Sequence, residues 1–69
     1  MKVSARNLIS GKIKKLTVGM VAAEVVIEVA PGVELVSVIT KDSVEAMGLK
    51  EGGEVKAMVK ATSVMVVTD

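Results

Sequence analysis

One residue in three of this chain carries a β-branched side chain: 15 valines, four isoleucines and four threonines among 69 residues. Branching at Cβ restricts side-chain rotamers in a helix and suits the pleated surface of a sheet. Glycine and proline divide the apolar runs into segments of ordinary strand length, at Gly11, Gly19, Pro31, Gly32, Gly48, Gly52 and Gly53. The sequence therefore predicts a mostly β protein.

Five strands are predicted from the alternation of apolar and polar residues. They run from about Ser10 to Val18, Met20 to Ala30, Glu34 to Thr40, Glu54 to Lys60 and Ser63 to Thr68. In the first, Ile13 falls out of step with later apolar residues, which predicts a bulge near Lys14 and Lys15. In the second, Val25 and Ile27 share one face. The third is apolar on both faces, which predicts that a closed barrel covers one side and a neighbouring subunit the other.

A single short helix is predicted between the third and fourth strands. Asp42 suits the N-cap, Glu45 completes a capping box at N3, and Gly48 supplies the left-handed stop. Five short strands with one helix in this position are typical of an OB-fold barrel, whose closure removes exposed sheet edges. The predicted fold class is therefore all-β: an OB-fold-like five-stranded barrel with one short helix between strands 3 and 4.

The size and composition of the chain favour an oligomer without catalytic chemistry. Phe, Tyr, Trp, Cys and His are all absent. Without His or Cys the chain lacks an imidazole base, a thiolate nucleophile, the usual zinc ligands and a disulfide, so neither an enzyme nor a transition-metal site is expected. Chains below roughly 70–80 residues seldom have a self-sufficient core, so we expect copies of the chain to cover one another. A monomer with a well-packed valine core is the alternative.

The charge balance argues against nucleic acid and membrane partners. Nine Lys and Arg against eight Asp and Glu give a net charge of +1, too little for a chain that neutralises many phosphates. The uncharged stretch from Leu16 to Ala23 is far shorter than the ~20 residues that cross a bilayer, and the first residues lack the apolar core of a secretory signal. We expect a cytoplasmic protein whose residues 1–69 form a single domain.

Three polar clusters stand out from the apolar background. They are Ser4 to Asn7, Thr40 to Ser43 and Lys60 to Thr62. Together they offer hydroxyl donors, a helix amino terminus and two cations, which are the groups that a small oxyanion requires. The alternative is purely structural: hydroxyls that cap the helix, an arginine paired with a glutamate, and an ordinary turn after the fourth strand.

Four segments, spread over nearly the whole chain, carry a more specific pattern. They read SARNLISG (residues 4–11), ITKDSV (39–44), LKEG (49–52) and VKAT (59–62). In these segments and in its length, the chain resembles the single-domain members of the molybdenum-pterin-binding protein family, also called molbindins.

The resemblance implies an OB-like barrel that assembles as a homohexamer, a trimer of dimers, and binds molybdate or tungstate between subunits for intracellular storage or homeostasis. It implies a molybdate site to which one chain contributes Ser4 and Arg6, and a neighbour contributes Thr40, Ser43, Lys60 and Ala61. The oxyanion is then the bound ligand, and no catalytic cofactor is expected. A second class of site in such hexamers depends largely on main-chain groups, so no side chain is assigned to it.

Two other functions fit the predicted fold. An oligonucleotide-binding OB-fold module would stack bases on aromatic side chains along a positive groove, and this sequence has no aromatic residue. A purely structural oligomerisation domain would use the polar clusters only as caps and would be indifferent to oxyanions.

Overall fold

The computed structural model describes residues 2–69 and contains one antiparallel sheet, one helix and one 3-10 turn. The elements are β1 (Asn7–Val18), β2 (Ala22–Ala30), β3 (Val33–Thr40), α1 (Lys41–Met47), β4 (Glu54–Val59) and the turn Ala61–Ser63. The strands lie in the order β3-β2-β1-β4, and every neighbouring pair is antiparallel. The mostly β class and the position of the helix between the third and fourth strands are confirmed.

Strand β1 is the long central element of the sheet. Its second half pairs with β2 and its first half with β4, from Lys12↔Glu54 to Asn7↔Val59. The pairing with β4 is the reason that β1 begins three residues before the predicted Ser10 and passes through Gly11 without ending there. The predicted bulge is confirmed, because the β1–β2 register shifts between Ile13 and Lys15.

The core is small and aliphatic. Its buried residues are Ile13, Ala23, Val25, Ile27 and Val44. Around Ile13, Val25 and Ile27 pack partly buried side chains from the other elements, including Leu16, Ile39, Leu49, Val55 and Ala57. The prediction that Val25 and Ile27 share one face of the second strand is confirmed, and this face is the buried one.

The helix begins earlier than predicted. Its N-cap is Thr40, whose hydroxyl oxygen accepts a hydrogen bond from the N–H of Ser43 at N3. The prediction of Asp42 as N-cap was wrong, because the last residue of β3 is already extended and presents its hydroxyl to the first turn. The predicted stop is confirmed, since Gly48 has φ 62° and ψ 37°.

The predicted fifth strand does not form. Within residues 2–69, Ser63 to Thr68 join no ladder, and all of residues 61–69 are exposed. The 3-10 turn closes with bonds from Ser63 N–H to the Lys60 carbonyl and from Val64 N–H to the Ala61 carbonyl. Because the chain after this turn does not return to the sheet, the place between β3 and β4 stays open, and the sheet is a curled half-barrel.

Strand β3 has one inward and one exposed face. Leu35 and Ile39 are partly buried, whereas Val36 and Val38 are 63% and 69% exposed. Cover for this outer face by a neighbouring subunit stays a prediction. Among the described residues, no helix is long and apolar enough to span a membrane.

Candidate functional site

The first polar cluster in the structure, Thr40 with Ser43, lies at the junction of β3 and α1. The Thr40 hydroxyl oxygen lies 3.0 Å from Ser43 N, from which it accepts, and its own hydrogen is donated to Ser43 Oγ at 2.8 Å. Strand β3 is held at this point by a 2.8 Å bond from Lys41 N–H to the Val21 carbonyl. Ser43 Oγ therefore accepts from Thr40 and keeps its own hydrogen for another acceptor.

The second polar cluster, which contains Arg6, Lys60 and Ala61, lies at the start of β1, where this strand pairs with the end of β4. The last β1–β4 pair is Asn7↔Val59, and the Asn7 side-chain amide donates to the Val59 carbonyl at 3.1 Å. Arg6 and Lys60 are the next residues along these two paired strands, so they flank the same end of the ladder. Arg6 and Ala61 line one shallow cavity there.

Lys60 and Ala61 are held by the turn that follows β4. Lys60 is the N-cap of the 3-10 turn, with φ −65° and ψ 135°, and its carbonyl accepts from Ser63 N–H at 2.8 Å. The N–H groups that begin a helical turn have no partner inside it. The N–H of Ala61, the first residue of the turn, is therefore not used by the hydrogen bonds that close the turn.

The charges of the second cluster are not compensated. Among residues 2–69 the single ion pair joins Lys14 Nζ and Glu34 Oε2 at 2.6 Å, on the outer face of the sheet. The hydrogen bond and charge of Glu34 raise the pKa of Lys14 above its usual value. Arg6 and Lys60 are both exposed and have no carboxylate partner within the described chain. Within residues 2–69, both cations therefore stay available to a bound anion.

The structure brings some of the predicted site residues together and separates others. Arg6 lies with Lys60 and Ala61, and Thr40 lies with Ser43, but the two groups are at opposite ends of the β1 ladders. Ser4 lies in an exposed bend before β1, and within residues 2–69 its side chain makes no hydrogen bond.

Asn7 has a structural role that the sequence did not predict. Its amide fixes the end of β4 and thereby the start of the turn that holds Lys60. The sequence contains one indication of this hydrogen bond. Asn7 stands between an arginine and an apolar strand, and an asparagine side chain there can hydrogen-bond a neighbouring backbone group.

The comparison with known proteins matches these features to one family. The sequence profile of the TOBE domain matches residues 3–66. Molybdenum-pterin-binding protein 2 of Clostridium pasteurianum is 52% identical over 66 residues, which are 96% of this chain and 97% of that protein. The chain belongs to the molybdenum-pterin-binding protein family. The family predicted from the four sequence segments is therefore confirmed.

Solved structures of molybdate-binding proteins have the same fold. The molybdate-binding protein from Sporomusa ovata superposes with a TM-score of 0.91 at 41% identity, covering 99% of this chain and 100% of that one. ModG, described as a cytoplasmic molybdate-binding protein and solved with molybdate bound, superposes with a TM-score of 0.82 at 39% identity, covering 88% of this chain and 43% of ModG. The OB-fold-like class predicted for this family member is confirmed, with four strands instead of five within one chain.

Proposed function

We propose that this protein binds molybdate at sites between the subunits of a homo-oligomer. The observation that carries the proposal is the separation of two polar clusters, Thr40 with Ser43 and Arg6 with Lys60 and Ala61, at opposite ends of β1. One anion can contact all of these groups only if a neighbouring chain supplies one of the clusters. The kinship with molybdate-binding proteins supports molybdate as the ligand.

Each residue has a separate task around the tetrahedral dianion. Arg6 and Lys60 supply positive charge, and the hydroxyls of Ser4 and Ser43 and the N–H of Ala61 donate hydrogen bonds. Thr40 contributes by donating its own hydrogen to Ser43 Oγ, which leaves the Ser43 hydroxyl hydrogen free for the anion. Each charge-assisted hydrogen bond contributes on the order of 1.5–3 kcal/mol. No bond of the anion has to be made or broken, so the task is binding and not catalysis. In this arrangement Thr40 and Ser43 come from one chain and Arg6, Lys60 and Ala61 from its neighbour, which differs from the grouping that the family resemblance implied.

The wider role follows from this site. We propose one Mop domain over residues 1–69, assembled as a hexamer in the cytoplasm, that stores or buffers molybdate or the isosteric tungstate. The small core supports assembly, because five buried residues are few for a chain that must be stable alone.

Lys60→Ala tests the site. We expect it to weaken molybdate binding by about 2–5 kcal/mol, because a dianion would lose one of its two cationic partners. The matched control is Lys15→Ala, which removes an exposed lysine in the middle of β1, away from both clusters. Isothermal titration calorimetry gives the affinities, and elemental analysis after dialysis gives the molybdenum per chain.

Three results of the Lys60→Ala experiment lead to different conclusions. A loss below about 0.5 kcal/mol for Lys60→Ala, which is within the range of neutral surface substitutions, contradicts the role of Lys60. Equal losses in both lysine variants would indicate a general charge effect. A wild-type protein that keeps no molybdenum after dialysis would favour the structural oligomerisation domain.

A further inference from the structure

The carbonyl groups beside the second polar cluster already accept hydrogen bonds. Three consecutive residues lead from the end of β4 into the 3-10 turn, and each of their carbonyl oxygens has a donor within residues 2–69. The donors are the Asn7 side-chain amide for Val59 at 3.1 Å, Ser63 N–H for Lys60 at 2.8 Å and Val64 N–H for Ala61 at 3.3 Å.

The same cluster keeps its donors free. Arg6 and Lys60 are exposed and form no ion pair within residues 2–69. Guanidinium and ammonium groups donate hydrogen bonds and cannot accept them. The N–H of Ala61 takes no part in the bonds that close its turn. The groups that this cluster offers to a ligand are therefore hydrogen-bond donors.

The hydroxyl pair of the first polar cluster is also arranged to donate. Thr40 Oγ1 accepts from Ser43 N–H at 3.0 Å and donates its own hydrogen to Ser43 Oγ at 2.8 Å. Because Ser43 Oγ already accepts this bond, its own hydrogen is what it can give to a ligand. The neighbouring Val21 carbonyl accepts from Lys41 N–H at 2.8 Å.

Two other groups near these clusters are able to accept a hydrogen bond. The Ser4 hydroxyl lies in an exposed bend, where water competes for its oxygen. The Asp42 carboxylate is exposed on α1 and bonds to nothing within residues 2–69. Successive helical residues are rotated by about 100°, so Asp42 and Ser43 leave the helix in different directions.

We propose that the site selects oxyanions by their lack of hydrogen: it binds fully deprotonated tetrahedral dianions and discriminates against those that carry an O–H group. The proposal deepens the proposed function and rests on it for the shared site. Molybdate, tungstate and selenate carry no hydrogen at neutral pH, so all of their oxygens can accept from the donors. Hydrogenphosphate and hydrogenarsenate are dianions as well, but their O–H group needs an acceptor.

The size of the discrimination follows from the unmade hydrogen bond. An O–H group held among donors leaves its hydrogen without a partner, which weakens binding by about 10-fold or more. Net charge does not contribute to this difference, because both kinds of anion are dianions. Such a site stays available to molybdate in the presence of phosphate.

Selenate and hydrogenarsenate are a matched pair of ligands for the test. In mildly alkaline buffer both are tetrahedral dianions of nearly the same size, and they differ by one hydrogen. Isothermal titration calorimetry of the molybdate-free protein with each anion gives the two affinities. We expect hydrogenarsenate to bind about 10-fold or more weakly than selenate. Equal affinities would overturn the proposal.

Monofluorophosphate and hydrogenphosphate separate the effect of the hydrogen from that of the central atom. Fluorine replaces the O–H group in monofluorophosphate, while the phosphorus and the charge stay the same. We expect monofluorophosphate to bind more tightly than hydrogenphosphate. If both phosphorus anions bind equally weakly, the central atom or its size decides, and the proposal is wrong.

Three variants show whether a side chain accepts from the anion. Ser4→Ala should weaken selenate and hydrogenarsenate by the same factor, because both lose one donor. Asp42→Asn should leave the ratio of the two affinities unchanged, as should the control Glu45→Gln, which neutralises another exposed carboxylate of α1. A loss confined to hydrogenarsenate in Ser4→Ala or Asp42→Asn would identify that residue as an acceptor and overturn the proposal.

Molybdate titration of the same protein separates this inference from the proposed function. A protein that binds molybdate but does not distinguish selenate from hydrogenarsenate keeps the proposed function and loses the discrimination. A protein that binds none of these anions loses both.

Discussion

At Gly11 the neighbouring strand leaves no room for a side chain. A Cβ at this position would lie 2.6 Å from the Glu28 carbonyl oxygen and 2.8 Å from a methyl group of Ile27. Both contacts are closer than real Cβ atoms approach, and one of them is backbone that cannot rotate away. The close approach of β1 and β2 beside the bulge, and not a turn, is therefore what requires glycine here.

Gly11→Ala is expected to lower the free energy of unfolding by about 1–3 kcal/mol, the usual cost of forcing extra volume into a packed site. The measurement is denaturant unfolding at fixed protein concentration. The control is Ser10→Ala next to it, an exposed position where the change should stay within about 0.5 kcal/mol. A Gly11→Ala protein as stable as wild type would show that the two strands can separate freely.

At the scale of elements, local sequence patterns predicted most of the strands. They missed the features that depend on pairing with strands distant in the sequence. Alternation located β2 and β4, and the out-of-step Ile13 located the bulge. The start of β1 was missed because it depends on pairing with β4, which is 40 or more residues away. Ser63 to Thr68 alternates like a strand and still pairs with nothing among residues 2–69.

The start of α1 shows the same limit. The sequence predicted Asp42 as the N-cap, whereas the Thr40 hydroxyl oxygen accepts the hydrogen bond from the N–H of Ser43. Both residues are good caps in isolation, and only the position at which β3 ends decides between them.

Paired alanine variants measure which residue caps the helix. Thr40→Ala should cost about 0.5–2 kcal/mol of stability, because the N–H of Ser43 loses its acceptor. Asp42→Ala removes only a charge from the first turn and should cost about 0.3–1 kcal/mol. Denaturant midpoints without molybdate give the comparison, and a larger loss for Asp42→Ala would contradict the observed cap.

At the scale of the whole molecule, the barrel of a single chain is open between β3 and β4. Its sheet is half a barrel, and Val36 and Val38 are exposed on its outer face. One polar cluster lies at the start of β1 and the other at the junction of β3 and α1, near the opposite end of the sheet. The sequence predicted assembly from chain length and the absence of cysteine, and it identified every residue proposed for the site. It could not predict how those residues group, because that depends on how β1 divides its pairing between β2 and β4.

Mixed assemblies test whether two chains share a site. Arg6→Ala and Thr40→Ala should each abolish tight molybdate binding in a pure oligomer. When the two variants are unfolded and refolded together, about a quarter of the shared sites should receive an intact cluster from each chain. Molybdenum per chain after dialysis is the measurement. No recovery in the mixture would mean that both clusters of a site come from the same chain.

The position of the two clusters at opposite ends of β1 has a consequence for stoichiometry. In the proposed shared site, each chain would offer one complementary half to each of two sites, so a closed ring of any size would hold one ion per chain. In that arrangement every ion would tie two chains together, and departure of a single chain would open two sites at once. Loading and assembly are thereby linked through mass action: scarce oxyanion or dilute protein favours release, and abundance of either favours retention.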